Sequence, residues 1–448
     1  MRIKSILLKN FKRFTNLSVD DIPQTAKLVV LVGPNGSGKT SFFETFNHFY
    51  KYFGFRYYPE GRNYLLKSNN DITDDEWSKE FPNLVTINFH NANYPNVVGQ
   101  SEIKGRFYFR SAYRNEPDFT IESMNRQENP TIQIRLNTLI ENDQTVSSNY
   151  QRLISKTMGD VFNDKNISKT VQDLREELTG KIKKALANVF EELNLSSLGD
   201  PLTNGSFYFK KGAINNFHYC NLSAGEKSAF DLILDIAIQA EYYPDAVYCI
   251  DEPEAHMHTN LQGKVLNELY SLIPNESQLW VSTHSIGMLQ QVKEIEETNP
   301  GTVIFLDFDG KNFDHDEIIR PSKINKAILN KFYELAFDDF AKLMLPKRLV
   351  FCEGDPNGKS RKDFDKTIFT TIFEDSYPDT FFLSAKSCSE LENIENSLGE
   401  IMTKLFENAE VIKIIDRDDR SSNEISELKS KGIKVLSRRN IESYLLDD

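Results

Sequence analysis

Leu28-Val29-Val30-Leu31-Val32-Gly33-Pro34-Asn35-Gly36-Ser37-Gly38-Lys39-Thr40 is the stretch from which the rest of the chain can be read. Its unbroken aliphatic run suits a central β-strand covered on both faces, because a strand with one wet face alternates. The run ends in a turn that fits G-x-x-x-x-G-K-[ST] without mismatch, and a helix is expected from about Thr40. Glycines let backbone N–H groups turn inward around phosphates, and the helix adds the positive end of its dipole. In this pattern Lys39 reaches the β- and γ-phosphates and the Thr40 hydroxyl ligates Mg²⁺. Asn35, Gly36, Gly38 and Ser41 complete the expected nucleotide-binding set. ATP with Mg²⁺ is the cofactor this stretch predicts.

Farther along, the apolar run Ala246–Ile250 ends in Asp251-Glu252. Two adjacent carboxylates after a buried strand suit metal-assisted hydrolysis, with Asp251 serving the metal and Glu252 polarising water. His284, in Ser-Thr-His-Ser after the next apolar run, is placed to hydrogen-bond the γ-phosphate. Between the first two motifs stands Leu222-Ser223-Ala224-Gly225-Glu226-Lys227. One reading is a capping box, Ser223 with Glu226, ahead of an apolar helix; the other is a γ-phosphate sensor at the same helix start, opened by Gly225. Both can hold. The loop and the motif order resemble ABC-type ATPases of the SMC/RecF kind. That resemblance implies that Ser223 and Gly225 complete the ATP site of an opposing subunit, so the heads close as a homodimer or higher homo-oligomer. The family's Q-loop glutamine has no assignable counterpart. His256 and His258, in Asp-Glu-Pro-Glu-Ala-His-Met-His, are expected to be structural or to lie at the dimer interface.

The C-terminal hundred residues alternate short apolar runs with helical stretches, including one over Glu390–Asn408, which predicts a small parallel α/β sheet. Glu353-Gly354-Asp355 follows the run Arg348–Cys352, and Asp416-Arg417-Asp418 follows Val411–Ile415. On a strand end, residues i and i+2 point to one side, and parallel strands bring their C-termini to one sheet edge. Glu353, Asp416 and Asp418, with Asp355 as a further candidate, are therefore expected to hold Mg²⁺ or Mn²⁺ through oxygen. The order E-G then D-x-D resembles a Toprim domain. Ser384-Ala-Lys386 resembles a basic phosphate-contacting position of such domains, and Arg438–Tyr444 resembles their R-x-I-E-x-Y element, implying Glu442 at a second metal. An ABC-type ATPase followed by a Toprim module resembles the OLD (overcoming lysogenization defect) nucleases. That family implies metal-dependent DNA cleavage in anti-phage defence, in some members beside a retron reverse transcriptase. The competing expectation is a RecF-like DNA-binding ATPase whose Toprim acids do no chemistry.

The expected fold class is α/β: an ABC/SMC-RecF-like head over residues 1–340, with a helical insertion at about 145–198, and a Toprim domain over 346–448. The chain stops abruptly at Leu446-Asp447-Asp448, so further C-terminal residues are expected in the full protein. At 448 residues a single core is too small an account of the chain. A net charge of −13 argues against nonspecific coating of nucleic acid but leaves room for a local basic groove. Cys220, Cys249, Cys352 and Cys388 form no CxxC pair and are expected to be small hydrophobes in a reducing cytoplasm. No apolar run approaches the ~20 residues needed to span a bilayer, so no membrane partner is expected.

Overall fold

The computed structural model describes residues 1–57, 61–68, 73, 77, 79–90, 101–114, 116–119, 121, 123–125, 127–203, 205–323, 348–353, 364–373, 376–377, 380–385 and 410–445. They fall into two units, Met1–Phe332 and Tyr333–Asp448.

The first unit opens on β1 (Ile3–Phe11), which turns back into β2 (Phe14–Val19). Lys12 makes that turn in the left-handed region, at φ 53°. In β1 the buried side chains are Ile3, Ile6, Leu8 and Phe11. The step from 3 to 6 breaks strict alternation because the register against β4 (Val85–Phe89) shifts between Ile3 and Ser5. With β12 (Asp316–Ile319) these strands form a sheet ordered β12-β2-β1-β4.

The aliphatic run quoted above is β3 (Leu28–Val32), buried at every position. It lies in a parallel sheet ordered β11-β3-β10-β9-β5, where β5 is Phe107–Arg110, β9 Val247–Asp251, β10 Gln278–Thr283 and β11 Val303–Asp307. Its faces feed different cores. Leu28, Val30 and Val32 pack with helical side chains such as Leu186, Ile233 and Val265. Val29 and Leu31 pack with the aromatics Phe42, Phe46, Phe107 and Trp280 under the first sheet. That two-sided burial is why the strand reads as continuously apolar. From the sequence, the aromatic and β-branched segments over 55–140, such as Leu84–Phe89 and Arg106–Ser111, read as antiparallel strands of a first lobe; instead β5 runs parallel to β9. The strand pattern from residue 221 onward reads as a second lobe, but its strands β9, β10 and β11 share one sheet with β3 and β5.

Helix α1 (Lys39–Phe49) follows the phosphate loop. Over 145–198 the structure has α2 (Val146–Val161) and α3 (Val171–Val189), and then an antiparallel sheet of β6 (Leu193–Ser197), β7 (Tyr208–Lys211) and β8 (Ile214–His218). Along α3, Leu174, Ile182, Leu186 and Val189 recur at helical spacing, and all four are buried. Val171 is 54% exposed, because it is the first residue of the helix. Helices α4 (Ala224–Gln239), α5 (Thr259–Leu272) and α6 (Ile286–Thr298) complete this unit.

The second unit is a parallel sheet ordered β14-β13-β15-β16, from β13 (Arg348–Glu353), β14 (Thr380–Ala385), β15 (Glu410–Ile415) and β16 (Ile433–Val435). Leu349, Phe351, Ile415 and Ile433 cluster together, and Val350, Cys352, Phe369 and Phe382 form a second cluster. Among its described helices are α7 (Phe364–Phe373), α8 (Ser422–Ser430) and the single turn α9 (Glu442–Leu445). Asp355, Lys386, Cys388, the helix expected over 390–408 and all but the first two residues of a connecting helix that the sequence suggests over roughly 322–343 lie outside the described residues. Among the described residues no helix is long and apolar enough to cross a membrane.

Candidate functional site

Neighbouring strands of the central sheet deliver the three motifs of the first unit to one edge. The phosphate loop follows β3, Asp251-Glu252 ends β9, and His284 follows β10, which pairs with both. Gly38 caps α1 at φ 102°, a conformation that disfavours side chains. A Cβ there would also stand 2.6 Å from Arg13 Cδ. Lys39 is buried and donates from Nζ to the Gly33 and Pro34 carbonyls at 2.8 and 3.1 Å. Burial lowers its pKa, with Glu252, Asp251 and Glu254 pulling the other way. Thr40 Oγ1 donates to Asp251 Oδ2 at 2.7 Å, so the two expected magnesium ligands already touch. Asn35 and Gly36 are exposed on the loop.

Glu252 sits at φ 43°, a left-handed conformation costing on the order of 1–3 kcal/mol. Two groups hold it there. Its N–H donates to Ser282 Oγ at 3.0 Å, and its carbonyl accepts from Arg114 Nη2 at 2.7 Å. Arg114 also donates to the Asp251 carbonyl at 2.8 Å. Burial first, and then the nearby Arg110, brings the Arg114 pKa down to about 10. Ser282 also binds Asp251 through its hydroxyl. His284 Nδ1 lies 4.0 Å from Glu252 and 3.8 Å from Glu254. Glu254 is buried and accepts from Thr283 Oγ1 at 2.6 Å and from the His284 N–H at 3.2 Å. Burial raises its pKa, against the Thr283 hydrogen bond.

Arg13, Arg114, Ser282 and Glu254 are the members of this site that the motif reading left without a role. Arg13 donates to the Gly36 carbonyl within the phosphate loop. Ser282 carried a signal, standing in the same Ser-Thr-His-Ser run as His284 at the end of β10. Arg114 carried none, being 137 residues from its partner Asp251.

The capping reading of the Ser223 segment is the one its hydrogen bonds describe. Ser223 Oγ accepts from the Glu226 N–H at 3.3 Å, and the Ser223 N–H donates to Glu226 Oε2 at 2.9 Å, a complete capping box. As an acceptor in that pair, the Ser223 hydroxyl keeps its proton for another partner. Gly225 packs so closely on the segment after β9 that a Cβ would lie 2.9 Å from the His256 carbonyl oxygen. Ser228 Oγ ties the same helix to Ala255 O at 3.0 Å. His256 and His258 are exposed.

Two family models match the chain. One, described as an AAA domain, covers residues 5–193; the other, described as AAA domain, candidate AbiEii toxin, Type IV TA system, covers residues 125–289. The first unit is an AAA-type ATPase domain. Such a domain takes ATP with Mg²⁺, and its phosphate loop and the Thr40–Asp251 pair supply the matching donors. No curated protein matches the chain. Among solved structures, an SMC head bound to the C-winged helix domain of ScpA is 14% identical with a TM-score of 0.41, covering 73% of this chain and 100% of its own. The SMC head domain from Thermotoga maritima is 14% identical with a TM-score of 0.37, covering 72% and 100%. The Pyrococcus furiosus head with an extended coiled coil is 14% identical with a TM-score of 0.36, covering 74% and 98%.

In the second unit, β13 and β15 are adjacent and parallel, with Cys352 paired to Ile414. Glu353, the last residue of β13, therefore falls level with Ile415, and Asp416 follows directly. The strand stops at Ile415, so alternation does not place Asp416 and Asp418 on one side as expected. Instead the chain turns, with Asp418 at φ 44° and its N–H donating to Arg439 O at 2.7 Å. Asp418 Oδ2 lies 3.3 Å from Arg420 Nη1, and that guanidinium also reaches the Asp416 carbonyl. Glu442 begins α9, where Tyr444 OH accepts from the Ser437 and Arg438 N–H groups at 2.9 and 3.0 Å. That is the local role of Tyr444 in the R-x-I-E-x-Y element.

Proposed function

We propose that this chain is an ATP-controlled, metal-dependent DNA endonuclease of the OLD type, acting in anti-phage defence in the cytoplasm. The observation that carries the nuclease half is the parallel pairing of β13 with β15, which brings the end of Glu353's strand beside Asp416. Carboxylate oxygens suit a hard divalent ion, and Glu353, Asp416 and Asp418 would hold it, with Asp355, Glu442 and Lys386 as further members of the set. When bound, magnesium or manganese supplies Lewis-acid charge for phosphodiester hydrolysis. The chain's own part is positional: the strand ends fix the acids, and the turn after Ile415 directs Asp418.

In the ATPase domain, Lys39, Thr40 and Asp251 bind Mg²⁺·ATP, Glu252 orients and deprotonates the attacking water, and His284 faces the γ-phosphate. Arg114 and Ser282 keep Glu252 in its left-handed conformation. Ser223 and Gly225 serve the nucleotide of a second copy, so ATP closes a homodimer or a higher homo-oligomer, and a retron reverse transcriptase is a partner consistent with this plan.

Alanine at Asp416 tests the reading. Metal-dependent cutting of DNA should disappear while ATP turnover persists; unchanged cutting would remove the second unit from the chemistry. The RecF-like alternative draws on one observation, the Arg420 guanidinium beside Asp418, which satisfies an acid without a metal. It predicts that every DNA form stays intact with Mg²⁺ or Mn²⁺.

A further inference from the structure

We propose that Asp118, His218 and Cys220 form a binding site for a borderline transition metal of the Zn²⁺ class, separate from both sites above. Their ligand atoms all lie within 4.8 Å of one another, the one His/Cys/Asp/Glu grouping of this kind among the described residues. A thiolate, an imidazole and a carboxylate are the donors that Zn²⁺ and Co²⁺ accept, whereas Mg²⁺ prefers oxygen alone.

The ligands come from distant parts of the chain, and the backbone under them is fixed. Tyr219, buried between His218 and Cys220, donates from its hydroxyl to Glu116 O at 2.7 Å. Lys227 Nζ bridges Pro117 O at 2.6 Å and Cys220 O at 2.7 Å. The loop bearing Asp118 is thus tied to the His218–Cys220 segment before any ion arrives, which is what a preorganised site requires.

The histidine is already in a ligating tautomer. Its Nδ1 accepts from the Cys220 N–H at 3.1 Å, which puts the ring proton of the neutral form on Nε2 and leaves Nδ1 unprotonated; a metal bound there replaces that hydrogen bond. Cys220 Sγ stands 2.9 Å from that same Nδ1. Tetrahedral zinc, with bonds of about 2.3 Å to sulfur and about 2.0 Å to nitrogen, would hold the two atoms roughly 3.5 Å apart. A small rotation of the Cys220 side chain, which is not fully buried, supplies the difference. Binding replaces the thiol proton, released to solvent, and the charges of thiolate and carboxylate then balance the dication. Solvent completes a fourth position.

The site lies three residues before Ser223 and holds the carbonyl that Lys227 grips from the first turn of α4. If that helix start reads the nucleotide of a second copy, as proposed above, loading this ion stiffens it. The ion itself does not depend on that reading.

The test is a Co²⁺ titration of metal-stripped full chain without nucleotide or DNA, so failure here leaves the nuclease reading untouched. A thiolate-to-cobalt charge-transfer band and intense visible bands of tetrahedral geometry should saturate at a single equivalent and be displaced by Zn²⁺. Cys220→Ser should abolish the charge-transfer band. Asp118→Asn, at an exposed position, should keep the band and weaken binding about tenfold or more, since even outer-shell losses cost about 10–100-fold. Absence of a thiolate band in wild type, or its survival in Cys220→Ser, overturns the proposal. So does an Asp118→Asn titration identical to wild type.

Discussion

In the first unit Asp143, Asp231 and Asp235 surround Arg110 in the interior, whereas in the second Asp418 and Asp419 stand in solvent beside Arg420 and Arg439. Arg110 is fully buried and shares its guanidinium among all three acids, at 2.7 Å from Asp143 and from Asp235. Burial works against its charge, and the three carboxylates outweigh that, so its pKa lies well above the ordinary value. Burial likewise opposes charge on Asp143, yet Arg110 and Arg135 bring it down to about 2. At Asp231 burial wins and the pKa is raised. This network joins β5, α2 and α4, the strand beside Asp251 and the helix that Ser223 caps, through Thr145, Asn149 and Tyr108. Asp418 and Asp419 have no such enclosure. A surface ion pair is worth roughly 0–1 kcal/mol, so Asp418 can exchange its arginine for a divalent ion at little cost. Enclosed acids hold an architecture; exposed ones at a sheet edge are available for chemistry.

The contrast is sharpest at Arg110. Arg110→Ala leaves the buried Asp231 and Asp235 without a cation and Asp143 with Arg135 alone, and should destabilise the first unit by about 3–5 kcal/mol in denaturant melts. A loss below about 1 kcal/mol would break the comparison, because the interior would then tolerate unpaired acids. Lys39→Ala is next. Removing charge-assisted contacts worth roughly 3 kcal/mol should weaken ATP binding about a hundredfold by calorimetry while leaving the melt nearly unchanged.

A third effect separates the interiors by pH. His48 is fully buried against Phe11, Tyr52 and Phe81, and burial, with Lys51 beside it, lowers its pKa from 6.5 to about 3. Below about pH 6.5 the unfolded chain binds a proton that the folded chain refuses, so stability falls with pH across that window. The first unit should be about 2 kcal/mol less stable near pH 5 than near pH 7, and His48→Phe should flatten the slope. The smallest effect belongs to the second unit: Arg439→Ala, losing a pair with the 84% exposed Asp419, should shift stability by less than about 0.5 kcal/mol.

The strands that carry chemistry were legible because their burial on both faces writes a continuous apolar run, as in Leu28–Val32 and Ala246–Ile250. The cap at Ser223 was legible because its partner is only three residues away. The hairpin of β1 and β2 was not, since its turn at Lys12-Arg13 contains neither glycine nor proline. The direction of β5 was hidden for a different reason: a four-residue strand carries no record of its neighbour, and only pairing with β9 sets it parallel. The β6–β8 sheet was obscured by the helical spacing that precedes it. In the same way Arg114 and Arg110 act through partners more than a hundred residues away, beyond the reach of any local pattern.

The central claim is that the strand-end acids of the second unit grip a divalent ion. A calorimetric titration of Mn²⁺ into nucleotide-free full chain, set beside the Glu353→Ala/Asp416→Ala variant, tests it most directly. Saturable binding in the wild type that is missing from the variant, with both proteins equally folded, is the predicted result. Matching isotherms for the two proteins would contradict it.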